Sequence, residues 1–363
     1  MTRWALSSVL AFACACGSGG DGGAADSGSG STTVDPGDPP YDRLSDWGFF
    51  EGSLVDQQPA EGVISYTVAA PLWADFAGKG RYMRLPEGGK IGFTEQDEWS
   101  FPEGTIFIKT FFFDTDRSDD ADAPRIVETR LLVHEATGWE SYIYLWDDEQ
   151  VEATRIKGGA DVDIAYVDAD GQSATQLYLV PDQNTCEDCH ARDDVARVLG
   201  PITHQLNVDA PADAPGSGNQ IDLFTELGLF ETPPGPAAEL PAFSPPAGGG
   251  ELALRARSYL HGNCAHCHRP GGGGGPSGLS FLYWEDNPAK YGVCKVPAAA
   301  GGGAGGNQVD IWPGDPDRSI VPFRMRTTDP EIKMPELPSL LADDFGADLV
   351  SEWIAGMSEP PCE

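Results

Sequence analysis

The chain has 363 residues, 40% of them hydrophobic, enough for real cores and more than one compact domain usually needs. Its 57 acidic and 23 basic residues leave a formal net charge of −34. Such a surface repels nucleic acid and anionic lipid, which argues against both as partners. A basic protein patch, a cation or plain solubility in a salty medium remain.

The first residues read as an export signal. Arg3 supplies a short positive region, and residues 4–13 form an apolar run too short to span a bilayer. The run ends in Ala13-Cys14-Ala15-Cys16-Gly17, which resembles a bacterial lipobox, so lipidation is expected at Cys14 or Cys16. Plain signal cleavage is the alternative, because Ala11 or Ala13 stands where a leucine is usual. A signal peptide over 1–16 and a Gly/Ser/Asp/Pro-rich flexible linker over 17–40 follow from this reading. The expected location is the periplasm or outer membrane, with a lipid tether.

Residues 41–180 have strand character. The runs 105–113, 125–135, 139–146, 162–167 and 176–180 are rich in β-branched and aromatic residues. Ala136-Thr137-Gly138 and Asp168-Ala169-Asp170-Gly171 are turn signals between them. Residues 181–250 contain one paired-cysteine motif, short helical stretches around 193–199 and 221–230, and a Pro/Gly-rich linker at 233–250. In the last segment, 251–358, Leu252, Ala256, Tyr259 and Leu260 share one helical face. Leu349, Val350, Trp353, Ile354 and Met357 share another, with Asp343 placed to cap it. The expected fold is therefore a multidomain α+β one. An N-terminal antiparallel β-sandwich-like domain precedes a mainly α-helical, cytochrome c-like C-terminal region.

Two strings carry chemistry: Cys186-Glu187-Asp188-Cys189-His190 and Cys264-Ala265-His266-Cys267-His268. Both have the form C-x-x-C-H, expected by chance about 0.003 times in such a chain. Two cysteines separated by two residues can each add a thioether to one haem, and the following histidine then lies beneath the iron. Two covalent c-type haems are thus expected, on Cys186/Cys189 and on Cys264/Cys267, with His190 and His268 as proximal ligands. The rival is structural zinc held by the four thiols, which needs no histidine after each pair.

For the second iron the distal ligand is expected to be Met334, on a Pro-bounded loop before the last helix, with Met325 as fallback. For the first iron the only imidazole between His190 and Gly250 is His204, set against an open or water-bound iron. Cys294 and Cys362 are left over, and export favours a disulfide between them over two thiols.

These motifs sit among others: Leu44-Ser45-Asp46-Trp47-Gly48-Phe49-Phe50, Ala70-Pro71-Leu72-Trp73-Ala74-Asp75, Phe101-Pro102-Glu103-Gly104-Thr105 and Pro313-Gly314-Asp315-Pro316. In combination the chain resembles a family of uncharacterised bacterial diheme c-type cytochromes, often encoded beside parallel β-helix proteins. The resemblance runs from Leu44 to the final helix. It implies haem binding and electron transfer, without a substrate. The expected function is a diheme electron carrier docking a redox partner through a basic patch on that partner. The alternative is a diheme peroxidase-like oxidoreductase with an open first haem. No catalytic residue is assigned, as no nucleophile–base pair is evident.

Overall fold

The computed structural model describes residues 37–118, 124–193, 195–298, 301–336, 339–358 and Cys362. The expected signal peptide, the cysteines Cys14 and Cys16, and the linker up to residue 36 lie outside the described residues.

The chain opens with a small ladder, β1 (Phe50–Glu51) against β2 (Gln58–Pro59). Six strands then form one antiparallel sheet in chain order: β3 (Val63–Ser65), β4 (Gly78–Arg84), β5 (Ile106–Phe113), β6 (Arg125–Glu135), β7 (Gly138–Trp146) and β8 (Ala153–Ile156). A separate antiparallel ribbon follows, β9 (Ala160–Val167) with β10 (Ser173–Val180). Alternation sorts the side chains of the sheet to two faces. Tyr82, Ile108, Leu131 and Tyr144 share one core with Trp47 and Phe49 from the N-terminal segment. On the other face, Phe111 and Ile143 meet Ile164 and Tyr178 of the ribbon, and Phe107 and Leu132 meet Ile221 and Phe224. Both faces are thus buried.

Beyond the ribbon come α1 (Gln183–His190), a hairpin of β11 (Ala191–Arg192) and β12 (Val195–Ala196), α2 (Thr203–Leu206), α3 (Gln220–Glu226), α4 (Leu252–Cys264), α5 (Ile320–Arg326) and α6 (Asp344–Ala355). The helix expected near 193–199 is instead this hairpin, turned by Asp193 at φ 52°, and the helix lies just before it. The stretch 233–250, expected as a linker, is packed. Asn207 Nδ2 donates to the carbonyls of Ala237 and Leu240, and Phe243 is buried.

The expected fold class is overturned. Among the described residues strand outweighs helix, and the region after Gly250 is not mainly α-helical. Turns, loops and short 3₁₀ segments fill the long stretch between α4 and α5. The physical reason is composition: the glycine runs at 271–275 and 301–306 raise the entropy cost of helix, and the scattered prolines remove donors from it. In place of a sandwich there is one six-stranded sheet flanked by a ribbon and loops.

Residues Asp38–Glu363 pack as one unit. The 70–75 segment ties the sheet to the C-terminal helices. Trp73 donates its backbone N–H to Asn263 Oδ1 at 2.7 Å, and the Asp75 carboxylate accepts the N–H groups of Leu340 and Leu341 at 2.8 and 2.9 Å. Gly262 permits the close approach of α4: a Cβ there would lie 2.5 Å from the Ala70 carbonyl oxygen.

Candidate functional site

The first C-x-x-C-H string is wound into α1. Asp182 begins this helix, accepting the N–H of Thr185 at 2.7 Å and its hydroxyl at 2.9 Å. One short helix therefore carries Cys186, Cys189 and His190. The β11–β12 hairpin folds back so that the Arg197 carbonyl lies 2.9 Å from His190 Nδ1. A carbonyl can only accept, so Nδ1 bears the hydrogen and Nε2 keeps its lone pair. Burial pushes the His190 pKa down to about 4, which keeps the ring neutral at ordinary pH.

The second string closes α4. Cys264 is its last residue, and the Cys267 and His268 N–H groups both return to the Cys264 carbonyl, at 3.2 and 2.8 Å. His268 Nδ1 lies 3.1 Å from Ser277 Oγ. That hydroxyl spends its hydrogen on the Gly274 carbonyl at 2.6 Å, so it accepts from the ring. Here too Nε2 is the free nitrogen, and burial pushes the pKa down to about 4.

Each motif opens on a cleft. The first, about 1470 Å³ counted to its open mouth, is lined by Cys186, Cys189 and His190 against the sheet. The second, about 1600 Å³ on the same count, is lined by Cys264, Cys267 and His268. Both figures include open solvent; the space inside that would take water is about 220 Å³ in the first cleft and about 440 Å³ in the second, below and within the usual small-molecule range. The two clefts share a wall, since Cys189 and His266 line both. The Sγ atoms of Cys189 and Cys267 and a ring nitrogen of His266 all lie within 4.8 Å of one another. None of the four motif cysteines is in a disulfide. Cys189 is pushed up to about 12, first by its hydrogen bond to Cys267 and then by burial; burial alone does the same to Cys264.

Met334 lines the second cleft together with His268, its backbone N–H held by the Arg324 carbonyl at 2.8 Å. Met325 lines the same cleft. His204 is not brought to the first cleft, although its neighbours Ile202 and Gln205 line it. Its ring is buried among Phe243, Tyr283 and Trp284, with centroids 5.2–5.5 Å away. Cys294 and Cys362 are joined by a disulfide.

Sequence reasoning missed His261. It lines the first cleft, and its Nδ1 accepts the Tyr283 N–H at 3.0 Å, so in the neutral ring Nε2 carries the hydrogen. Its position three before Cys264 on the same helix points to the second cleft, and only the tertiary structure turns it to the first. Also missed were Arg81, Lys109 and Arg130, which line the same cleft from the sheet. For Lys109 the signal was a single cation in a mostly apolar run; β4 and β6 each carry several charges, so nothing local marked Arg81 or Arg130.

The residues fit covalent haem on the chemistry of the donor set. Each cleft has two cysteines separated by two residues and an adjacent imidazole with Nδ1 tied down and Nε2 open. A metal ligand oriented by a hydrogen bond from its other nitrogen is the usual arrangement for histidine. No family model, no curated protein and no solved structure matches the chain.

Proposed function

We propose that the chain is a diheme c-type cytochrome whose role is electron transfer, working in the periplasm or at the outer cell surface, with an N-terminal lipid on Cys14 or Cys16 as its tether. The observation that carries this reading is the repeated geometry at the two motifs: Cys186, Cys189 and His190 face one cleft, Cys264, Cys267 and His268 the other, and each histidine is fixed through Nδ1. When bound, each haem supplies an iron that changes by one electron between ferrous and ferric. The chain's own residues would hold the macrocycles by thioethers and present an imidazole to each iron, with Met334 lining the same cleft as His268. The shared wall at Cys189 and His266 supports exchange between the two sites. The acidic surface suits a redox partner with a basic docking patch.

A second reading is favoured by one observation. Cys189, His266 and Cys267 form a three-ligand cluster, which matches a zinc site with its fourth position open. One experiment separates the two: expression with a cytochrome c maturation system, followed by intact mass and a pyridine haemochrome spectrum. A mass increase of two haems is expected. Bound zinc without haem would overturn the cytochrome reading.

A further inference from the structure

The face of the sheet that looks into the first cleft carries a row of like charges. Arg81 on β4 stands directly opposite Lys109 on β5, and Lys109 stands opposite Arg130 on β6. All three line that cleft. Like charges paired across strands destabilise a sheet, and withdrawal from water adds to the cost. In a chain of net charge −34, composition does not account for such a row.

Part of the repulsion is offset locally. Arg130 pairs with Glu128, Nη2 to Oε1 at 2.5 Å and Nε to Oε2 at 2.8 Å. The Tyr178 hydroxyl donates to the same fully buried carboxylate at 2.6 Å. The ring of Phe111 lies 5.0 Å from Lys109 Nζ and 4.2 Å from the Arg130 guanidinium carbon, a modest cation–π contribution. Among the described residues, neither Arg81 nor Lys109 has a carboxylate within ion-pair distance. Burial, then Arg81 and Arg130, push the Lys109 amine well below its ordinary pKa. Two basic side chains without a carboxylate are left lining the cleft, and an anion beside them would favour the charged form of Lys109.

The row is also the right length. Cys186 meets its Arg130 end, where Arg130, Glu128 and Ser141 all act on the thiol. Arg81 lies two strands further along, roughly 10 Å at about 4.8 Å per strand. That is the order of the distance from the thioether edge of a porphyrin to its carboxylate edge.

We propose that Arg81 and Lys109 are the seat for the two propionate carboxylates of the haem held by Cys186 and Cys189. This rests on the haem reading above. The planar guanidinium of Arg81 takes a carboxylate through two parallel N–H groups, and Lys109 acts as a point charge. Neutralising the propionates removes negative charge that would favour the ferric state, so the pair raises the potential of the first haem. The same cations would also attract a free small oxyanion.

The test begins by counting haem in the wild-type protein, by intact mass and pyridine haemochrome. Midpoint potentials are then read by spectroelectrochemistry for wild type, Arg81→Gln, Lys109→Gln and Arg81→Lys. Met334→Ala, which moves the second haem, identifies the first. Each glutamine variant is expected to keep both haems and lower the first potential alone, and Arg81→Lys to restore most of it. Fewer than two haems in the wild type removes the haem reading itself. Two haems with unmoved potentials in both glutamine variants overturns the seat alone. A wild-type spectrum that responds saturably to phosphate or nitrite, with the response lost in Lys109→Gln, assigns the cations to a free anion and also overturns it. If a glutamine variant does not accumulate, Lys109→Arg is compared with wild type by resonance Raman; unshifted propionate bending bands then overturn the proposal.

Discussion

His190 donates its Nδ1 hydrogen to the carbonyl of Arg197 at 2.9 Å, across the hairpin that follows its own helix. The backbone therefore fixes the ring's tautomer, and a sequence separation of seven suffices to build the arrangement. On the diheme reading, His190→Ala is expected to lower haem content from two to one per chain and leave the second site intact. Intact mass reads this directly, and retention of both haems would show that His190 is dispensable at the first site.

At the second site the acceptor is a side chain, so its influence can be tested separately. Ser277→Ala removes the group that draws on His268 Nδ1–H. The imidazole becomes a weaker donor to iron, which favours the ferrous state, so the second haem's potential rises. The first potential should stay where it is.

Met334 shares the second cleft with His268. Met334→Ala is expected to lower the second haem's potential and open its iron to cyanide, seen as a Soret shift of half the haem. An unchanged spectrum would move the assignment to Met325, which lines the same cleft.

The helix pair behind that site depends on one glycine. A Cβ at Gly346 would lie 2.0 Å from the Tyr259 ring, whose hydroxyl donates to Asp343 at 2.9 Å. Gly346→Ala gains up to about 1 kcal/mol of helix propensity but incurs overpacking of roughly 1–3 kcal/mol. A net fall in the thermal midpoint is therefore expected. A rise would mean that α4 and α6 separate without penalty.

Glu152 gives a pH test far from the clefts. It accepts from Ser45 Oγ at 2.6 Å and pairs with Arg43 at 2.7 Å, tying the N-terminal segment to β8. Burial acts to raise its pKa, but these partners outweigh it and hold the carboxyl below the usual range. A depressed folded pKa contributes stability above the unfolded value, about 4.3, and that stability is lost as pH falls through the folded one. Glu152→Gln should therefore cost about 1 kcal/mol near pH 7, with the deficit shrinking in acid. Denaturant midpoints at the two pH values measure it, and a constant deficit would argue against the charge.

What the sequence alone decides here is short-range. The spacing within Cys186, Cys189 and His190, and within Cys264, Cys267 and His268, is set by the chain itself. The strand runs that become β5, β6 and β7 were legible because richness in β-branched and aromatic residues is a local property. Asp343 could be read as a cap for the same reason, and it accepts the Gly346 N–H at 3.1 Å. Only the tertiary structure decides what long-range packing brings together. It turns Cys189 toward Cys267, draws His204 into an aromatic cluster, and lays Arg81, Lys109 and Arg130 in one row. It also leaves the stretch between α4 and α5 as loops, where the order of motifs had suggested a mainly helical domain. Separation along the chain carries no information about such contacts, because they are selected by the burial and register of elements that no single segment contains.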